Sequence, residues 1–147
     1  MLEACYRSVL AAVRTDTALR PPHVVIGGKS LGGRIASQLA AQGDAIAGVL
    51  LLGYPLHPPG KPEKLRAEHL TRIPVPLLFF AGTRDPLCPL ELLRRTLKKL
   101  VVPVTVQVIA EGDHSFVVPK RTGRSQTDVY EEIITASSTW IRQTLQG

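Results

Sequence analysis

Three segments of the chain carry residues that could together do nucleophilic chemistry. The first is Gly28-Lys29-Ser30-Leu31-Gly32, a G-x-S-x-G pattern. Glycines two positions either side of a serine suit a sharp turn from strand into helix, where flanking side chains would collide. Gly28 and Gly32 would then shape the turn and hold Ser30 up at the sheet edge. A serine hydroxyl needs a base to take its proton and a third group to orient that base. Asp85, in Ala81-Gly82-Thr83-Arg84-Asp85-Pro86, and His114, in Gly112-Asp113-His114-Ser115-Phe116, follow in the order serine, acid, histidine. Ser30 is therefore the expected nucleophile, Asp85 the acid and His114 the base.

Other assignments fit less well. Gly28-Lys29-Ser30 echoes the end of a phosphate-binding P-loop, G-x-x-x-x-G-K-[ST], but that motif needs glycine where His23 stands. Positions 24–26 are Val-Val-Ile, a strand rather than a flexible loop. A plain helix-capping role for Ser30 is the bland alternative. Asp113 adjoins His114 and would need a strained loop to orient its ring. Asp44 and His23 fall at the starts of strands, the wrong end of a sheet. His57 and His69 lie in the loop after the second strand, where they are expected to be solvated or to face substrate.

The elements that must position these residues alternate in kind. His23–Gly27, Ala45–Gly53, Val75–Gly82 and Val104–Ala110 are apolar runs without polar alternation, suited to strands buried on both faces. Between and around them lie helical patterns. Leu2–Val13 has one apolar stripe, and Leu31–Gln42 stops at Gly43. Pro89 opens a third pattern, with Leu90, Leu93, Leu97 and Leu100 on one face. A fourth, Thr127–Leu145, carries Val129, Ile133, Ala136 and Trp140 at helical spacing. Alternation of this kind predicts an α/β fold of about four parallel strands flanked by helices, in one domain spanning 1–147. Ligands bind at the carboxyl ends of such strands, where Ser30, Asp85 and His114 fall.

The 147 residues comprise 44% hydrophobic and 20% charged residues, a balance that excludes a disordered chain. Twelve Gly and twelve Pro argue for many turns and against a long helical bundle. Eighteen Lys and Arg against twelve acids give a formal charge of +6, which bears on solubility and partners rather than on fold. Cys5 and Cys88 are too few and too far apart for a disulfide framework and read as free thiols. No apolar run approaches the ~20 residues of a membrane span, and the opening residues, lacking a basic stretch followed by an apolar one, are not expected to be a secretory signal. A cytoplasmic protein without membrane contact is expected. The basic clusters, Arg94, Arg95, Lys98 and Lys99 on one helix face and Lys120, Arg121 and Arg124 in the loop after His114, are not interleaved with aromatics, so nucleic acid is not an expected partner.

The four blocks Gly27–Arg34, Gly53-Tyr54-Pro55-Leu56, Phe80–Asp85 and Gly112–Phe116, in that order, resemble the α/β-hydrolases, specifically the dienelactone-hydrolase-like branch. Within it the chain resembles the testis-expressed hydrolase-like family and the hydrolase-like domain of a subunit of the non-specific lethal histone-acetyltransferase complex. The resemblance implies a Ser30-Asp85-His114 triad that hydrolyses a small ester, thioester or related acyl bond, without cofactor or metal. It implies the Leu31 N–H as one oxyanion donor. The segment Tyr54–Arg72 falls where this fold class inserts lids, so it reads either as a lid or specificity loop, with Tyr54 and His57 at its start, or as a stiff connector. A regulatory, non-catalytic interaction module is the alternative that some relatives suggest.

The chain departs from that family at its start. Only 22 residues precede His23, so the fold is expected to be N-terminally truncated, as in a fragment or late-start product. The second oxyanion donor, normally supplied by an earlier loop, would be lost at a cost of roughly 10²–10³ in turnover. Lys29 and Arg34 are nearby substitutes, although solvent-facing side chains at a mouth are the plainer expectation. The strand His23–Gly27 should lie at a sheet edge, with no charge or proline to protect it, and invite homo-oligomerisation. The first helix could cover one face of that strand but is not expected to satisfy its outward N–H and C=O groups.

Overall fold

Continuous apolar runs become strands buried on both sides, and the amphipathic segments become the helices that bury them. The computed structural model describes all residues, Met1–Gly147. Its elements are α1 (Leu2–Thr15), β1 (Val25–Lys29), α2 (Leu31–Ala41), β2 (Gly48–Leu52), β3 (Leu77–Gly82), α3 (Leu90–Leu97), β4 (Val104–Ile109) and α4 (Gln126–Gln146). Short 3-10 helices cover Glu68–Arg72 and Lys120–Thr122. The four strands are all parallel in the order β1-β2-β3-β4. Helices cover both faces, so the architecture is the four-stranded α/β sheet read from the sequence.

The pleat divides the core in two. Leu77, Phe79 and Ala81 of β3 join Val49 and Leu51 of β2 against α1, α2 and α3. Leu78 and Phe80 point the other way, against Val129, Ile133 and Trp140 of α4. All six residues of β3 are buried, which alternation along one face could not produce. No helix is long and apolar enough to cross a membrane.

Several boundaries differ from the sequence reading. The first strand is Val25–Lys29 rather than His23–Gly27, because Gly27 and Gly28 are strand residues and not its end. A Cβ on Gly27 would lie 2.4 Å from the Leu50 carbonyl oxygen, so close strand packing requires this glycine. The helix expected from Thr127 begins at Gln126, one residue after Ser125. Ser125 and Asp128 form a reciprocal capping box there. The third helix ends at Leu97; Leu100 packs on the core from the following turn.

α1 is tied to the sheet by polar contacts. Arg7 donates to both carboxylate oxygens of Asp44, its Nε to Oδ1 at 3.4 Å and its Nη2 to Oδ2 at 3.1 Å. Arg14 donates to the Ala45 carbonyl. Asp44 thus has a structural partner at the start of the sheet, remote from the strand ends that matter chemically.

Candidate active site

Ser30 sits between β1 and α2 with φ 51° and ψ −115°, a conformation that L-residues avoid and that persists only when surroundings enforce it. The enforcement is visible. Its N–H donates to Leu52 of β2 at 2.9 Å, and its carbonyl accepts from Arg34 N–H at 3.1 Å. A Cβ on Gly28 would fall 2.5 Å from the carbonyl carbon of Gly32, and one on Gly33 would fall 2.7 Å from the Gly28 oxygen. Only side-chain-free residues allow strand and helix to approach this closely. Gly32, by contrast, faces open space. The steric demand therefore falls on Gly28 and Gly33, correcting the sequence assignment of Gly32. Ser30 does not cap α2 with its side chain. Its hydroxyl is aimed elsewhere.

That direction is His114. The imidazole Nε2 lies 2.9 Å from Ser30 Oγ, and Nδ1 lies 2.8 Å from Asp85 Oδ2. Asp85 is only 3% exposed, and its other oxygen accepts from Leu87 N–H at 2.8 Å. Both carboxylate oxygens therefore accept, so Nδ1 carries the proton that it donates to Asp85. Nε2 then offers a lone pair, and the Ser30 hydroxyl donates to it. The three residues come from the ends of β1, β3 and β4, which are brought together because parallel strands end on one side.

The loop that bears His114 is built to hold it. Arg84 N–H donates to Gly112 O at 2.9 Å, joining the loops after β3 and β4. Asp113 Oδ1 accepts from the Ser115 and Val117 N–H groups at 2.8 and 3.0 Å. Asp113 therefore organises its own turn and leaves the ring to Asp85.

The surroundings sort the remaining candidates. The Leu31 N–H makes no hydrogen bond within the protein and stands just after Ser30, at the start of α2. Lys29 is exposed and reaches Ser115 Oγ at 3.4 Å. Arg34 is not a solvent-facing side chain at a mouth: its Nε is enclosed, and it lies close to Tyr54 and His69. Tyr54 and His57 do not form a lid. They are 0% and 4% exposed, so both belong to the core beneath the loop. His57 is thus buried rather than solvated, its Nδ1 donating to Pro58 O at 2.8 Å. His69 Nε2 bonds Ser37 Oγ at 2.7 Å. Cys88 is buried, and burial, with the Asp85 carboxylate adding to it, pushes its thiol up to about 12, leaving it protonated and inert.

Sequence reasoning missed two features beside Ser30. Leu31, Gly32 and Ile35 of α2 face Leu2, Cys5, Tyr6 and Val9 of α1 across an apolar groove of about 470 Å³. None of Ser30, Asp85 or His114 lines it, but it begins at the next residue. The stripe on α1 hinted at it, since Leu2, Cys5, Tyr6 and Val9 share a face. The second feature is Tyr6, whose hydroxyl reaches Gly27 of β1. No group of three or more His, Cys, Asp or Glu residues is placed to hold a metal ion.

Comparison with known proteins bears on the fold and the family. A dienelactone hydrolase from Anabaena variabilis is similar with a TM-score of 0.73 at 17% identity, over 97% of this chain and 59% of that one. The esterase domain of a Rhodothermus marinus protein gives 0.68 at 18% identity, over 94% and 68%. An alpha-beta serine hydrolase homologue from Coxiella burnetii gives 0.58 at 20% identity, over 74% and 48%. The chain thus spans about half to two-thirds of the length of these structures. At such identities the likeness is one of fold. Residues 1–142 also match the alpha/beta hydrolase domain family, and the chain belongs to that family.

Proposed function

We propose that this chain is a serine hydrolase acting on a small ester, thioester or related acyl bond. The reading rests on one observation above others: the continuous hydrogen-bonded series from Ser30 Oγ through His114 to buried Asp85. Ser30 Oγ attacks the acyl carbon while its proton moves to His114 Nε2. Asp85 stabilises the imidazolium that results. The carbonyl oxygen gains the negative charge and meets the Leu31 N–H at the start of α2. Collapse breaks the bond to the alcohol or thiol, which leaves with the proton from His114. Water then attacks the acyl-serine with His114 as base, releasing a carboxylic acid and restoring Ser30.

The apolar groove beside Leu31 supports an apolar acyl group as the part of the substrate that is held. Dienelactone-hydrolase-like chemistry, and the closer resemblance to the testis-expressed and non-specific-lethal-complex proteins, rest on the four sequence blocks. A fluorophosphonate probe tests the reading, because it labels only an activated serine. Labelling of the native chain and its loss in Ser30→Ala are expected. Undiminished labelling of Ser30→Ala would overturn the assignment.

A further inference from the structure

A second polar cluster shares no side chain with the Ser30–His114–Asp85 series. Arg34 of α2, Arg66, and Arg72 at the end of the 3-10 helix Glu68–Arg72 line one cavity of about 340 Å³, together with Glu68 and His69. None of these three guanidiniums forms an ion pair; the arginines that do are Arg7, Arg94, Arg121 and Arg124. Basic clusters on a surface are ordinarily solvated. This one is not wholly so, because Arg34 Nε is enclosed and has no acceptor within the protein. A buried donor on a charged group, left without an acceptor, is costly.

The neutral groups around it are already committed. Ser37 Oγ donates to Arg34 O at 2.7 Å, and Tyr54 Oη donates to Arg66 O at 2.6 Å. With those protons used, His69 Nε2 is the donor in its 2.7 Å bond to Ser37 Oγ. Burial, and then the charges of Arg34 and Arg72, hold the His69 pKa below its ordinary value, so it adds no charge at neutral pH. Three guanidinium charges against the single carboxylate of Glu68 leave two positive charges in one cavity.

The geometry points to an oxyanion site formed by Arg34, Arg66 and Arg72, suited to a phosphoryl group. A carboxylate would neutralise only half of the excess. A phosphate monoester carries about −1.5 to −2 at pH 7 and presents three acceptor oxygens. Arginine forks match that shape in a way that point-charge lysines do not. The site does not depend on the hydrolase reading.

The test titrates the full chain with inorganic phosphate, phenyl phosphate and acetate, with sodium chloride holding ionic strength constant. Melting temperature and the His69 imidazole resonance are followed. Both phosphates should raise the melting temperature, and the His69 pKa should rise as the anion offsets its arginine neighbours. Acetate should do neither at equal ionic strength. Tighter binding of phenyl phosphate than of inorganic phosphate assigns an organic monoester; equal binding assigns the free ion. Arg66→Gln and Arg72→Gln should each weaken phosphate by about tenfold or more, since a charged hydrogen bond contributes roughly 1.5–3 kcal/mol. Both change side chains outside the core, and the backbone carbonyl of Arg66, not its side chain, holds Tyr54. Ser30→Ala should bind phosphate as the native chain does. Equal responses to acetate and phosphate, or undiminished phosphate binding in both arginine variants, would overturn the site.

Discussion

The hydroxyl of Tyr6 meets both backbone groups of Gly27: it accepts from the N–H at 3.2 Å and donates to the carbonyl at 2.7 Å. β1 is an edge strand. Val24 O and Ser30 N–H are bonded to the β2 side, so Val25, Gly27 and Lys29 turn their groups outward. A side chain from α1 therefore takes the place of a neighbouring strand at one residue, which corrects the expectation that this helix could not satisfy the edge. Tyr6→Phe should destabilise the fold by about 1–3 kcal/mol, because two partly buried groups lose their partner. Urea denaturation checks this; an unchanged midpoint would show the contact to be idle.

Val25 and Lys29 have no such partner. We propose that the exposed length of β1 pairs with a second copy of the chain. Sedimentation at micromolar concentration should show association that Val25→Lys weakens and Tyr6→Phe strengthens. A native chain that remains monomeric throughout would refute pairing through this edge.

Removing the base should be far more damaging than removing a neighbour. His114→Ala should lower turnover of an activated ester by about 10⁵–10⁶, and Asp85→Asn by about 10⁴, with circular dichroism unchanged. His57 and His69 lie apart from the hydrogen-bonded series, so His57→Gln and His69→Gln should keep most activity. Comparable turnover in His114→Ala would mean that Ser30 is activated by another group.

The fold class was legible because four apolar runs alternating with helical patterns admit few other arrangements. The convergence of Ser30, Asp85 and His114 was legible for a related reason: all three fall just past carboxyl ends, and parallel strands place those ends on one side. What was not legible has physical causes as well. Gly27 and Gly28 look like strand breakers, whereas here they serve close packing against Leu50 and Gly32. Tyr54 and His57 stand in a proline-rich polar stretch. Leu56 stands alone among prolines, and Ala67, Leu70 and Ile73 repeat every three residues, the period of a 3-10 helix too short to reveal their inward direction in the sequence. The Ser125-x-x-Asp128 capping pair was readable in principle, being a recognised helix-start pattern with Asp in the acidic position.

The fold should lose stability as pH falls below neutrality, in part through His69. Its pKa is lowered in the folded chain, chiefly by burial and then by Arg34 and Arg72, from an ordinary value of 6.5. A depressed pKa means that the unfolded chain binds more protons in this window, so stability rises with pH. The contribution is complete above pH 6.5 and fades as pH falls through the folded-state value. Urea midpoints at pH 7.5, 6.5 and 5.5 should therefore decline more steeply for the native chain than for His69→Gln. Parallel curves would remove His69 as a source of the dependence.

The groove between α1 and α2 should set acyl preference. It begins at Leu31, whose side chain is 50% exposed, and continues past Val9, which is 59% exposed. A full burial of one methylene contributes about 0.8 kcal/mol, which is roughly fourfold in rate when realised in the transition state. A surface groove covers only part of the chain, so about twofold per methylene is expected. kcat/KM for p-nitrophenyl esters should therefore climb from acetyl to hexanoyl. Val9→Asp places a charge on the groove wall at an exposed helical position, where the fold tolerates it. That variant should keep acetyl ester turnover and lose the climb. If native and Val9→Asp proteins show the same chain-length profile while both hydrolyse acetyl ester, the acyl group lies elsewhere and the groove has another use.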